Sequence, residues 1–469
     1  MPSVHRSEKD FSAISYCCYL LLLIWAPLPY ASNTPFYLLL LTAMILLAGI
    51  IFIADSLMHK IAIWPMLKPY WLPLSVLLFV ACWVLLQATA LPASLLASLS
   101  PESAGYYAAT INKANANSYI SLSVGDTGMK ALFSFSLFVF FAMTVLLHQR
   151  SSRIKTTLMV IVLCGTAQAL YGSFMVLSGL EYSFFMEKEY YRGVATGTFV
   201  NRNHLAGFLE MSLACGIGLL VSSLGSKGSS SWRARARAGL DAVLGPKMRL
   251  RVFLAFMVIA LVLTRSRMGN SAFFLALPIC GFLYMVMERK INWGAIILFA
   301  SLMLVDFLIV GQWFGFDELA QRLEGSSTET ETRDEVVRDS LVLLQDNAIA
   351  GTGMGTYYTA YPPYQQEDVR GYYDHAHNDY LQFAIELGGV GFIPLALLVL
   401  ASAWMALSAM FKRQNRLAKG VAFASSMGIL ALMIHSAVDF NLQMPANALL
   451  FIFVLSLGWM AKQQQWRSH

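Results

Sequence analysis

The residues best suited to chemistry gather in a few polar segments of an otherwise apolar chain. In the most distinctive, Asp374-His375-Ala376-His377-Asn378-Asp379-Tyr380-Leu381-Gln382 is followed by Glu386-Leu387-Gly388-Gly389. The chain has only eight histidines, and two of them stand here within three residues, beside acids. An imidazole near neutral pH takes a proton from a hydroxyl, which makes this pair a candidate general base. A hydrated loop is the plain alternative. A His-x-His pair with acids also suits a metal, but no third and fourth ligand stand at metal-binding spacing.

A second segment, Thr264-Arg265-Ser266-Arg267-Met268-Gly269, puts two arginines between two apolar runs with almost no loop. An arginine at the centre of a membrane helix costs roughly 2.5–3.5 kcal/mol on insertion scales. Snorkelling to headgroups accounts for one of them, and an anion site is the expected role for at least one of Arg265 and Arg267. A third segment runs from Ser326 to Tyr358. Thr332 and Glu335 have capping-box spacing, and Val336, Val337, Leu341 and Leu344 are expected on one face of a short amphipathic helix lying on the membrane domain. Arg333 opens that helix and Arg338 lies further along; a solvated salt-bridge face is the alternative reading. The glycines at 351, 353 and 355 end it. A fourth segment, from Tyr191 to Gly207, leads straight into an apolar run. Asn201 or Asn203 there either caps the following helix or, with Arg192, forms a polar rim for a ligand. A smaller cluster, His435, Asp439, Asn441, Gln443 and Pro445, reads as a helix-end turn or as part of the same rim.

The elements that must position these segments follow from composition. Of 469 residues, 57% are hydrophobic and 13% charged, with a mean hydropathy of +0.58. Soluble proteins average about 25% charged. A soluble enzyme, a secreted disulfide scaffold, a coiled coil and a disordered chain are excluded. A window of roughly 20 apolar residues gives about twelve spans: 12–31, 35–54, 71–91, 130–147, 156–178, 204–224, 251–264, 269–287, 293–313, 388–411, 420–438 and 446–461. The first apolar run lacks a small-residue cleavage site and is expected to remain. The six cysteines all lie in apolar runs without metal spacing, and no disulfide is expected. The expected organisation is a nine-span bundle over 1–312, a loop region over 313–387 that carries site residues, and three further spans over 388–469.

Charge orients this map. With the N-terminus inside, 22 of the 33 basic residues and five acids fall on inner segments, a net +17 inside against −11 outside. That is the bias of the positive-inside rule, and it also explains the basic loop 226–251 without nucleic acid. All the unusual polar segments then fall outside. The run Gly351-Thr352-Gly353-Met354-Gly355 matches neither phosphate-loop pattern, which argues against an ATP-driven pump or a kinase. Charges within the spans are few, Asp306 the plainest. Transporters place binding residues near the midplane, so a lipid-linked sugar transporter is the distant alternative.

The segments GTFVNRNHLAGFL (197–209), LTRSRMG (263–269), RDEVVRDSLVLLQDNAIAGTGMGTY (333–357), HAHNDYLQFAIELGGVGF (375–392) and HSAVDFNLQMPANALLF (435–451) occur in this order. Together they resemble the O-antigen ligase and polymerase superfamily of membrane glycosyltransferases, over about residues 190 to 455. The histidine segment carries most of the likeness, as His-Asn-x-x-Leu followed by Glu and Gly. The family's helix usually has Trp four residues after its first Arg, where this chain has Val337. The resemblance implies an all-α, GT-C-type helical bundle in the bacterial inner membrane with its site on the periplasmic face. It implies a polyprenyl-pyrophosphate-linked glycan as donor and no metal or other cofactor. The acceptor would be lipid A–core, or a second lipid-linked repeat in a polymerase, or a protein in an O-oligosaccharyltransferase. Carried over by motif, His377 would be the base and Arg267 and Arg333, with Arg265 beside them, would hold the pyrophosphate. Arg192, Asn201, Asn203, Asn378, Asp439 and His375 would shape the site.

Overall fold

A computed structural model describes residues 11–110, 118–224, 245–287, 300 and 333–466. The chain is an all-α polytopic membrane protein. Among the described residues, nine helices are long and apolar enough to cross a bilayer. In chain order the helices are α1 (Ala13–Trp25), α2 (Pro35–Met58), α3 (Ile63–Leu67), α4 (Trp71–Gln87), α5 (Ala93–Leu99), α6 (Pro101–Thr110), α7 (Val124–Leu147), α8 (Ser151–Ser178), α9 (Arg202–Ser222), α10 (Pro246–Leu263), α11 (Arg267–Met287), α12 (Arg333–Asp346), α13 (Tyr357–Ala360), α14 (Asp379–Lys412), α15 (Arg416–His435) and α16 (Pro445–Gln463). A hairpin of two two-residue strands, β1 (Tyr182–Ser183) and β2 (Met186–Glu187), lies between α8 and α9.

Local chemistry sets many of the boundaries. Ser12 caps α1, its hydroxyl accepting from Ser15 N, and α1 stops short of Pro27 and Pro29, which cannot continue a helix. Its span is therefore shorter than the expected 12–31. Thr34 caps α2, with proline in its first turn where the missing N–H is not needed. Gly179, at φ 71°, closes α8 in the left-handed conformation. The last long outer helix begins nine residues before the expected 388. Hydropathy windows discard its polar first turns, but Asn378 caps it there by accepting from Leu381 N. Apart from residue 300, the expected span 293–313 lies outside the described residues, as do Asp306 and Thr332.

The three most enclosed spans, α9, α15 and α16, form the centre, with 89%, 78% and 94% of their apolar windows buried. α9 and α15 approach backbone to backbone through small residues. A side chain on Gly218 would strike Gly420 O and Ala424, and one on Gly420 would strike Gly218 O and Ser222. In lipid, where hydrophobicity does not drive helices together, such close van der Waals packing does. α2, α4 and α14 are mostly peripheral, and their Leu47, Phe79 and Leu397 face outward. Spans alternate in direction, so the starts of α9, α11, α14 and α16 share one end of the bundle with the finish of α10 and α15. Lys155, Lys247 and Arg416 meet in one groove at the opposite end.

At the polar end a backbone clasp joins the glycine-rich segment to α14. Thr352 N and Gly353 N donate to Ile385 O and Glu386 O, each at 3.0 Å, and Gly389 N donates to Ala348 O at 2.7 Å. Gln87, from the end of α4, donates to both Ala350 O and Glu386 O at 2.8 Å. A Cβ on Gly351 would lie 2.5 Å from Gly388 N, and Gly388 itself sits at φ 61°, ψ 177° inside α14. Only glycine fits both positions. The glycine run thus builds a close backbone approach.

Candidate active site

Four loops and helix ends converge around the ring of Phe440. His375 stacks on it at 4.2 Å, and His204 and His377 meet it edge-on at 4.6 and 4.9 Å. One apolar ring thus orients three imidazoles from two distant parts of the chain. Tyr373 adds an edge contact to His377 at 5.8 Å.

The first contribution comes from the start of α9. Asn201 caps that helix, its side chain accepting from Asn203 N at 2.8 Å, and so settles which of the two asparagines is the cap. Asn203 is thereby free to donate its amide to Asp439 Oδ2. His204 Nε2 lies 3.8 Å from Asp439 Oδ1. Asp439 is 1% exposed and also accepts from its neighbour Phe440 N. The cluster after α15 is therefore more than a helix-end turn, since it fastens α9 to α14. Asp379 N donates to Ser436 O and Asp439 O at 2.9 and 3.0 Å, and the Asp379 carboxylate accepts from Ser436 Oγ and Leu442 N.

The second contribution is the histidine segment. Gln382, one turn into α14, meets His375 Nδ1 at 3.0 Å and donates to Glu386 Oε1 at 3.1 Å. Glu386 is fully buried and accepts from Gly355 N and Tyr357 N. A relay of fixed polar groups therefore runs from the glycine clasp to His375. Burial pushes the His375 imidazole below its ordinary pKa; the Asp374 carboxylate opposes that and the Lys130 charge reinforces it. His377 is half-buried, and its backbone stands at φ 50°. A non-glycine residue in the left-handed region stores about 1–3 kcal/mol of strain, a feature that clusters at functional sites.

The third contribution is the turn between α10 and α11. Arg265 also adopts φ 50°, and both Arg265 and Arg267 are exposed. The polar residues around them are inward: Thr264 and Ser266 are buried, and Ser266 N donates to Thr264 Oγ1 at 3.1 Å. The turn is pressed on the first turns of α9, because a Cβ on Gly269 would strike Ala206 and lie 3.1 Å from Glu210 Oε1. Ala195 N donates to Leu263 O, which brings in the loop before α9. The arginine turn and the histidine segment thus occupy the same end of the bundle.

α12 is the fourth contribution. Arg333 is its first residue, and the helix packs through Val336 and Leu343 on a cluster that includes Ala376, Leu381 and Ile385. Its buried face differs from the expected one. Leu341 is 46% exposed, whereas Asp339 and Ser340 turn inward. Partners explain the exchange, since Asp339 accepts from Gln366 N and Ser340 pairs with Tyr357. Arg338 follows the salt-bridge reading, with ion pairs to Asp339 and Asp368 at 2.8 Å each. Arg192 stands apart from the Phe440 cluster. Its guanidinium donates to Lys188 O and Glu187 Oε1 on the hairpin.

Two inward polar residues escaped the sequence reading. Glu210 in α9 forms a fully enclosed pair at 2.8 Å with His435 of α15, a residue the sequence had placed in the helix-end cluster. Lys130 in α7 borders a cavity beneath the histidine segment. Charges inside apolar runs were the available signal, because they are expensive there and face the bundle interior. Chemically, the end of the bundle offers positioned imidazoles, carboxylates held by donors, and cations beside them.

Residues 252–396 match the family model described as O-antigen ligase. That match supports the O-antigen ligase superfamily, in line with the likeness of the chain's motifs. The matched stretch holds Arg265, Arg267, Arg333, His375, His377 and Asn378; Arg192, Asn201, Asn203 and Asp439 lie beyond it. No curated protein sequence matches the chain.

Proposed function

We propose that this chain transfers a glycan from a polyprenyl-pyrophosphate carrier to a sugar hydroxyl, as an O-antigen ligase joining O-antigen to lipid A–core at the periplasmic face of the inner membrane. The observation that carries the reading is the meeting of the His375–His377 segment, Asp439 with Asn203, and the Arg265–Arg267 turn at one end of a membrane bundle, within and beside the stretch that matches the family.

In the reaction the acceptor oxygen bonds to the anomeric carbon as the carbon–pyrophosphate bond breaks. The acceptor hydroxyl loses its proton to His377. The pyrophosphate leaves with the bond's electron pair, and its growing charge is met by Arg267 and Arg333, with Arg265 alongside. Guanidinium suits this task because it stays charged and offers a planar fork of donors. Fixed cations at a developing charge contribute on the order of several kcal/mol. His375, oriented by Gln382 and Phe440, positions the segment; Asn378 caps α14 so that His377 keeps its strained backbone. Asn201, Asn203 and Asp439 fix the opposite wall, and Arg192 borders the rim through the hairpin. No residue role here calls for a metal.

Deleting the gene tests the acceptor. Lipopolysaccharide should keep a bare core while long polyprenyl-linked polymer accumulates. Core bearing a single repeat would assign polymerase activity instead. Unchanged lipopolysaccharide with loss of a glycoprotein or another polysaccharide would overturn the acceptor assignment.

A further inference from the structure

An apolar cavity of about 290 Å³ lies between α4, α7, α14, α15 and α16. Its lining follows α14 from Asp379 to Leu400, up to about 30 Å along a helix and comparable to the hydrocarbon depth of a bilayer. That elongated shape suits a hydrocarbon chain better than a compact ligand. Leu400 is 53% exposed, so the cavity opens sideways toward lipid. Polar groups gather at the other end. Ser436 Oγ donates to Asp379 Oδ2 there, while Asp379 Oδ1 is buried without a hydrogen bond among the described residues. Lys130 is different: no hydrogen bond or ion pair among the described residues engages its ammonium. Its charge reaches His375.

None of the lining belongs to α9, α10 or α11. The cavity is therefore separate from the Arg265–Arg267 turn, while the helix that follows His377 forms one of its walls. A displacement at carbon puts the attacking hydroxyl opposite the departing group. The proton acceptor and the acceptor sugar share one side, and the pyrophosphate with its arginines takes the other.

We propose that this cavity seats an acyl chain of a phosphorylated glycolipid acceptor, with the Lys130 ammonium meeting the lipid's phosphate at the polar end. The proposal rests on the glycan-transfer reading and adds where the acceptor's lipid anchor and phosphate sit. Lys130 feels the Glu386 and Asp126 charges but is held by no ion pair among the described residues, and a cation so placed beside an apolar, laterally open groove complements such a molecule in both charge and polarity; a protein acceptor would leave the groove without an occupant.

The test is photocrosslinking in nanodiscs, with benzoylphenylalanine in place of Leu400 and in a His377→Ala background, so that binding is read without turnover. Two probes are used separately, an acylated bisphosphorylated disaccharide and a polyprenyl diphosphate. The acylated probe should crosslink, several-fold less after Lys130→Met and also less after Ala396→Phe, which fills the apolar part. The polyprenyl probe should stay at background. Preferential capture of the polyprenyl probe, or capture of the acylated probe that is indifferent to Lys130, would overturn the proposal. In otherwise wild-type protein, Lys130→Met should raise the acceptor KM and leave the donor KM unchanged; a donor KM that moves instead contradicts it. If no transfer occurs at all, the enzymatic reading fails while the crosslinking result stands by itself.

Discussion

At the residue scale, two histidines that are two positions apart have different tasks in the proposed reaction. His377→Ala should lower transfer by about 10²–10⁴-fold, the usual contribution of a positioned base, without impairing insertion or donor binding. His375→Ala should cost less, because His375 acts through Gln382 and Phe440. Product mobility on gels ranks the two, and the reverse order would mean that the base is misassigned. Arg267→Lys should also lose much activity although the charge is kept, by about tenfold or more if one charge-assisted hydrogen bond of roughly 1.5–3 kcal/mol is lost. His375 further predicts a pH dependence. Its folded pKa lies below the ordinary value because it is buried, so the unfolded chain binds the proton first. Its contribution to stability is complete above about pH 6.5 and is lost as pH falls below that. Thermal midpoints measured from pH 7.5 to 5 should drop, and His375→Asn should flatten the drop.

At the scale of elements, hydropathy and caps made most helices legible in the sequence, and their polar ends marked where to look. Hydropathy could not say which ends meet. Asn203 and Asp439 are joined across 236 positions, and nothing local in either segment encodes that pairing. The glycine run was legible as a break but not as a clasp, because the requirement comes from Gly388 on another element. The inward face of α12 was misjudged for a similar reason: Asp339 and Ser340 are buried only because Gln366 and Tyr357 come to meet them. The clasp makes its own prediction. Gly388→Val should destabilise by about 1–3 kcal/mol or more through strain at positive φ. Gln87→Leu should cost about 1–3 kcal/mol, because Ala350 O loses its donor while Glu386 O keeps Gly353 N. Both should lower the thermal midpoint and activity together. A variant that keeps full stability yet loses activity would mean that the clasp touches substrate directly.

For the whole molecule, the histidine and arginine segments share one end of the bundle, and Lys155, Lys247 and Arg416 meet at the other. In a cysteine-free background, a thiol at Tyr372 should be labelled from the periplasm and one at Gln414 from the cytoplasm. Labelling of both from the same side would break the placement of the site. The central claim is transfer itself, and reconstitution tests it most directly. Purified protein in nanodiscs receives a polyprenyl-pyrophosphate-linked glycan and lipid A–core, without ATP or an ion gradient and with EDTA present, beside the His377→Ala variant. The account predicts glycan-bearing lipid A–core from the wild type alone and undiminished by the chelator. No product from a donor-binding wild type, or equal product from His377→Ala, would contradict it.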